Sequence, residues 1–140
     1  MKPQIHDIVL TQFDHHRLKG MVHVLRTRSA IDPYSLDALE LELERARTVP
    51  ADAVPGDVIT MNSSVTLQDI ATGERSCVTL VFPDARATHG RGVPVLSALG
   101  LALLGCRVGH VVELPRAGHT QRLRIEAVEY QPEATGNFFM

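Results

Sequence analysis

Val93-Pro94-Val95-Leu96-Ser97-Ala98-Leu99-Gly100-Leu101-Ala102-Leu103-Leu104-Gly105 decides the fold of this chain. Ser97 can cap a helix at its start, Gly105 can close it, and the apolar run between them reads as one short helix. Val108-Gly109-His110-Val111-Val112-Glu113-Leu114-Pro115 and Leu123-Arg124-Ile125-Glu126-Ala127-Val128-Glu129-Tyr130 come next as two strands. No nucleophile, metal cluster or phosphate loop interrupts this order.

Working upstream, the period stays at two. Val58, Thr60 and Asn62 alternate with Ile59 and Met61, and Val65, Leu67 and Asp69 alternate with Thr66, Gln68 and Ile70. Thr72-Gly73 marks a hairpin turn, and Cys77-Val78-Thr79-Leu80-Val81-Phe82 is a continuous β-prone run ending at Pro83. The expectation for this half is an antiparallel sheet with one helix packed on a face.

The first third changes period. Leu18, Val22 and Leu25, with Phe13 and Met21 alongside, predict a helix over 11–27, with Thr11 or Asp14 as its cap. Asp32-Pro33 restarts a helix, because Asp caps well and Pro suits the first turn. Leu36, Leu39, Leu43 and Ala46 then step by three and four, a narrow leucine seam with charges behind it. Two such helices joined by residues 28–34 form a short antiparallel αα-hairpin, each arm about 22 Å long at 1.5 Å per residue. Glu40 and Glu44 read as an acidic stripe with no basic partner. Residues 48–57, with Pro50, Pro55 and Gly56, read as a linker. The fold class is therefore α+β, divided into a helical hairpin over 1–48 and a sheet domain over 52–140. The apolar tail Phe138-Phe139-Met140 is expected to pack back on the core.

Composition narrows the function classes. A chain of 140 residues holds one full domain or two small modules. A net charge of −2 disfavours sequence-independent binding to duplex DNA, which needs a basic excess. Aromatics make up 4% with no Trp, too few for a broad aromatic pocket. Cys77 and Cys106 do not make a disulfide framework, residues 1–10 lack the apolar run of a signal peptide, and no segment approaches 18 apolar residues. These features predict a cytoplasmic protein with no membrane contact, most simply a monomer.

Ser97–Gly105 is similar to the Ser-Pro-Leu-Gly-x-Ala-Leu-Leu-Gly run of the Gre transcript-cleavage factors. Residues 52–136 resemble the C-terminal domain of that family, which has an FKBP-like fold. Three stretches are most similar to the branch named as regulators of nucleoside diphosphate kinase. They are Val58-Ile59-Thr60-Met61-Asn62-Ser63, Thr79-Leu80-Val81-Phe82-Pro83, and the ending Glu129-Tyr130-Gln131-Pro132-Glu133-Ala134-Thr135-Gly136. The resemblance implies a bacterial protein that docks on RNA polymerase near its secondary channel. Val95, Leu96, Ser97, Ala98, Leu99 and Gly100 would form the polymerase-facing motif, with Ala98 standing where Gre factors have proline. Gre factors carry acidic side chains at the hairpin tip, where they help hold a catalytic Mg²⁺. Here the tip holds Arg26, Arg28 and a single carboxylate, Asp32, which is also the natural helix cap. The implied protein binds polymerase without stimulating transcript cleavage. The alternative is an interaction module acting directly on nucleoside diphosphate kinase.

Other chemistries find little support. His16 and His23 share a helical face with His15 adjacent, but no Cys or carboxylate converges on them, so no metal and no cofactor is expected. His89-Gly90-Arg91-Gly92 lacks both the Walker lysine and the dinucleotide glycine pattern. Ser97, His119 and Asp84 come without a nucleophile elbow. Peptidyl-prolyl isomerisation, the enzymatic reading the fold suggests, needs an aromatic wall, and Phe82, Tyr130, Phe138 and Phe139 are all this half offers.

Overall fold

The computed structural model describes residues 8–28, 32–83 and 91–137. A three-residue strand, β1 (Val9–Thr11), leads into α1 (Gln12–Arg28), and α2 (Pro33–Arg45) returns alongside it. The Thr11 hydroxyl accepts from the Asp14 N–H at 3.0 Å, so Thr11 caps α1 and leaves the Asp14 carboxylate for other work. Asp32 caps α2, accepting from the Tyr34 N–H at 3.1 Å, with Pro33 in the first turn. Leu36, Leu39 and Leu43 are buried against Leu18 and Val22 of α1, as the seam required.

Two features of this region depart from the sequence expectation. The start of the supposed linker is a strand: β2 (Arg47–Val49) pairs in parallel with β1, Val9 opposite Arg47 and Thr11 opposite Val49, clasping the base of the hairpin. A 3-10 turn over Ala51–Ala53 comes directly after it. The acidic stripe is also partly paired. Arg26 crosses from α1 to both Asp37 and Glu40, and Arg45 binds Glu42 from three residues on at 3.1 Å. A search for partners four residues away on one helix overlooks both arrangements.

The sheet carries five strands in the order β5-β4-β3-β7-β6: β3 (Ser64–Asp69), β4 (Arg75–Val81), β5 (Gly92–Pro94), β6 (Val111–Arg116) and β7 (His119–Tyr130). Three of its four pairings are antiparallel, and the short edge strand β5 runs parallel to β4. The alternation over Val58–Asn62 does not make a strand. Val58 forms an isolated bridge to Arg107, and Thr60 and Ser63 close a turn (Ser63 N–H to Thr60 C=O, 3.1 Å) with Asn62 at φ 68°. All four residues Val58–Met61 are buried on every side, so the period of two carries no solvent-facing side. α3 (Ala98–Leu103) lies between β5 and β6 in the chain and packs on β6.

One apolar cluster runs through both halves of the molecule. It joins Leu18, Leu36 and Leu39 of the hairpin to Ile59 and Met61 of the turn, Leu67 and Ile125 of the sheet, and Leu103 of α3. Phe138-Phe139-Met140 and His89-Gly90 lie outside the described residues. Among the described residues, no helix is long and apolar enough to cross a membrane.

Candidate protein-docking site

The motif Val95–Gly100 is a tight turn feeding a helix, and its side chains have different fates. Val95 is buried, and its N–H donates to the Val81 carbonyl at 2.9 Å, anchoring the turn to the end of β4. Ser97 caps α3: its Oγ accepts from the Gly100 N–H at 3.1 Å and donates to the Pro94 carbonyl at 2.7 Å. Both capacities of the hydroxyl are thus used inside the turn. Gly100 is buried, and a Cβ there would fall onto the Pro94 carbonyl oxygen, so only glycine allows the turn to fold this tightly. Leu96 and Leu99 are half-buried against the core, which leaves Ala98 as the exposed member of the six. The motif therefore presents a shaped backbone and a small side chain.

At the far end of the hairpin, Arg26, Arg28 and Asp32 do not converge. Arg26 is held by Asp37 and Glu40, the Asp32 carboxylate is spent on the α2 cap, and Arg28 is exposed in the last turn of α1. Residues 29–31 are Ser, Ala and Ile, so they add no carboxylate. No group of three or more His, Cys, Asp or Glu among the described residues could hold a metal ion. The cation of Arg26 is drawn toward α2, while Asp32 accepts from the Tyr34 N–H at Oδ1 and from the Ser35 hydroxyl at Oδ2. A tip so arranged offers a divalent cation no pair of free oxygens.

Between these two ends sits a buried polar junction that the sequence does not announce. Asp14 is 1% exposed; its Oδ1 accepts from Arg17 at 2.8 Å and its Oδ2 from the Met61 N–H at 3.1 Å. The Arg17 guanidinium lies 4.4 Å from the Phe13 ring centroid and 4.5 Å from that of Phe82. Beside it the Thr60 hydroxyl donates to Glu133 at 2.7 Å, with Ser63 2.9 Å away. Burial pushes the Asp14 carboxyl above its ordinary range, against the opposing pull of Arg17 and the Met61 N–H. Glu133 is pushed up by burial as well, opposed by the Thr60 hydroxyl. Gln131 completes the junction, its Nε2 donating to the Pro55 and Val58 carbonyls at 2.8 Å each. These bonds tie α1, the 58–63 turn and the C-terminal 3-10 turn (Pro132–Thr135) together, and so hold the hairpin in a fixed position relative to the Val95–Gly100 turn. The one sequence-level signal was Asp14 in the first turn of α1, which a capping role explains away.

The comparisons with known proteins agree with this layout. Residues 54–130 match the family model of the GreA/GreB transcription elongation factor C-terminal domain, and residues 6–49 match that of the Rnk N-terminus. The Regulator of nucleoside diphosphate kinase of Escherichia coli K12 is 40% identical over 106 residues, covering 74% of this chain and 77% of that protein. The Transcription inhibitor protein Gfh1 of Thermus aquaticus is 37% identical over 95 residues, 66% of this chain and 59% of its own. Among solved structures, a prokaryotic transcription elongation factor GreA/GreB from Nitrosomonas europaea superposes with a TM-score of 0.74 at 34% identity. That superposition covers 89% of this chain and all of the other. These relatives are named as regulators and transcription factors.

Proposed function

This chain belongs to the GreA/GreB family of transcription elongation factors, in the group with an Rnk-type N-terminus, and from that premise we propose that it regulates transcription by occupancy. It docks on RNA polymerase at the rim of the secondary channel, where Gre factors dock, and stimulates no transcript cleavage. The observation that supports this reading is the pairing of a tightly hydrogen-bonded Val95–Gly100 turn with a hairpin tip whose single carboxylate is consumed as a helix cap. Hydrolysis of a phosphodiester at a two-metal site needs carboxylate oxygens delivered to the metal, and this tip delivers arginine instead. A protein that fills the site without completing it excludes the factors that would complete it.

The test is a competition assay with core RNA polymerase, a fluorescent Gre factor and this protein. The wild type is expected to displace the Gre factor. Ala98→Arg, which places a long cation on the exposed point of the turn without touching the Ser97 cap, is expected to displace it about ten-fold less well. In a backtracked complex the wild type is expected to leave the transcript uncut. Retention of the Gre factor at saturating wild type, or efficient cleavage, defeats the reading.

A second reading comes from the name of the Escherichia coli relative: direct action on nucleoside diphosphate kinase. A pull-down with purified kinase separates the two, because direct action requires a complex that forms without polymerase.

A further inference from the structure

α1 carries an apolar face outside the leucine seam. Met21 and Leu25 are half-buried there and Val24 is 45% exposed, and the three lie at helical spacing between Arg17 and Arg28. Phe82 and Pro83, which follow β4, form the facing wall of an open groove of about 510 Å³. Gly20 adds no side chain to the helical wall, and a Cβ there would meet nothing within 4 Å. Charge does not govern the groove, because Arg17 is already bound to Asp14 and only Arg28 remains, at the far end. The segment that fits it is apolar and uncharged.

We propose that this groove is the docking site of the chain's own Phe138-Phe139-Met140, which straps the C-terminal 3-10 turn to α1. The inference is independent of the occupancy reading. Composition selects the occupant. Of the stretches outside the described residues, 138–140 alone is an unbroken run of large apolar side chains, whereas 84–90 holds Asp84, Arg86 and His89 with nothing apolar larger than alanine. Placement agrees with composition. Gly136 turns the chain at φ 87°, and the Asn137 N–H donates back to the Pro132 carbonyl at 2.9 Å, so the described residues end beside the 3-10 turn. Glu133 of that turn accepts from Thr60, the neighbouring Met61 N–H donates to Asp14, and Asp14 holds Arg17, the near end of the groove. Three extended residues span about 10 Å. Arg17 to Val24 along α1 is also about 10 Å at 1.5 Å per residue. Two phenyl rings, each able to bury about 150–250 Å², then meet Met21, Val24, Leu25 and Phe82 in place of water.

The experiment is methyl NMR on the whole protein, reading nuclear Overhauser contacts from the Met21 and Val24 methyls to the rings of Phe138 and Phe139. The wild type is expected to show these contacts, identified by their loss in the double variant Phe138→Ser, Phe139→Ser, whose urea midpoint is expected to fall. Val24 is exposed, so Val24→Asp leaves the Leu18 and Val22 seam intact. With its fold checked by circular dichroism, Val24→Asp is expected to release the strap, and chymotrypsin then cuts after Phe138 or Phe139 about ten-fold faster than in the wild type, read by mass spectrometry. Absence of the contacts in the wild type overturns the proposal, and so do equal cutting rates in the wild type and folded Val24→Asp. Contacts that appear only between differently labelled copies place the segment on a second molecule and overturn the intramolecular strap.

Discussion

Asp14 and Glu133 show how single buried carboxylates can organise a small protein. Asp14 accepts from Arg17 at one oxygen and from the Met61 N–H at the other, and Glu133 accepts from the Thr60 hydroxyl. Glu133 is held above its ordinary value of 4.5, with burial as the main cause. The folded protein therefore keeps a proton at Glu133 that the unfolded chain has already released. Stability from this group is fully present below the unfolded pKa and declines as pH rises through the folded one. Glu133→Gln keeps an acceptor for Thr60 and removes the titration. The variant is expected to gain urea-midpoint stability relative to wild type on going from pH 4 to pH 7. A difference that stays constant with pH would mean that Glu133 titrates alike in both states. Comparing the two proteins at each pH cancels the carboxylates remote from Glu133, among them Asp69, which Gln121 holds low, and leaves Glu133 with its neighbour Asp14.

At the scale of elements, the Val95–Gly100 turn, the proposed docking site, stands on two supports that can be removed separately. Ser97→Ala deletes the cap of α3 and the bond to the Pro94 carbonyl and is expected to cost about 1 kcal/mol, recovered by Ser97→Thr, whose hydroxyl both accepts and donates. Gly100→Ala forces a Cβ onto the Pro94 carbonyl and within 2.8 Å of the Val95 Cα, so β5 and α3 must part, at a cost of about 2 kcal/mol or more. Chemical denaturation reads both, and equal costs would mean that the turn yields more easily than its geometry indicates. These elements were legible in the sequence because their signals are local: a Ser cap, a glycine stop, leucines at three and four. The same holds for Asp32-Pro33 and the Thr72-Gly73 hairpin. What stayed hidden depends on distant partners. β1 and β2 are three residues each and exist because the ends of the hairpin meet. Val58–Met61 alternates like a strand, yet it is a buried turn held by Ile59 to Cys106 and by Asn62 to Leu80. The acidic face of α2 looked unpaired until Arg26, 11 and 14 residues away, crossed to it. The junction of Asp14, Arg17, Thr60 and Glu133 spans most of the chain length, so no window of sequence contains it.

The whole molecule is organised around whether hairpin and sheet act as one body. A hairpin arm of 17 residues is about 26 Å long, too short for a stable isolated pair unless its leucines find more to bury. They find it in the sheet domain, because the cluster containing Leu36 and Leu39 continues without a break into Ile59, Met61 and Leu103. The Val9 N–H bond to the Gly105 carbonyl and the Asp14 bond to the Met61 N–H cross the same boundary. Cooperative unfolding is the expected consequence of this continuity, since loss of either half exposes the other's apolar face to water. The two tyrosines make the test direct: Tyr34 lies on the hairpin and Tyr130 at the end of β7. Incorporation of 3-fluorotyrosine gives each half its own ¹⁹F resonance, assigned through Tyr34→Phe and Tyr130→Phe. Both native signals are expected to vanish at one urea midpoint, and Leu39→Ala is expected to lower that midpoint for both by about 3 kcal/mol of stability. Earlier loss of the Tyr34 signal would show a hairpin that melts on its own and aims its tip independently of the docking turn. Occupancy depends on the coincident result. On the proposed occupancy mechanism, a hairpin fixed to the body would enter the channel in one orientation whenever the turn docked, and a channel so filled would admit no second hairpin.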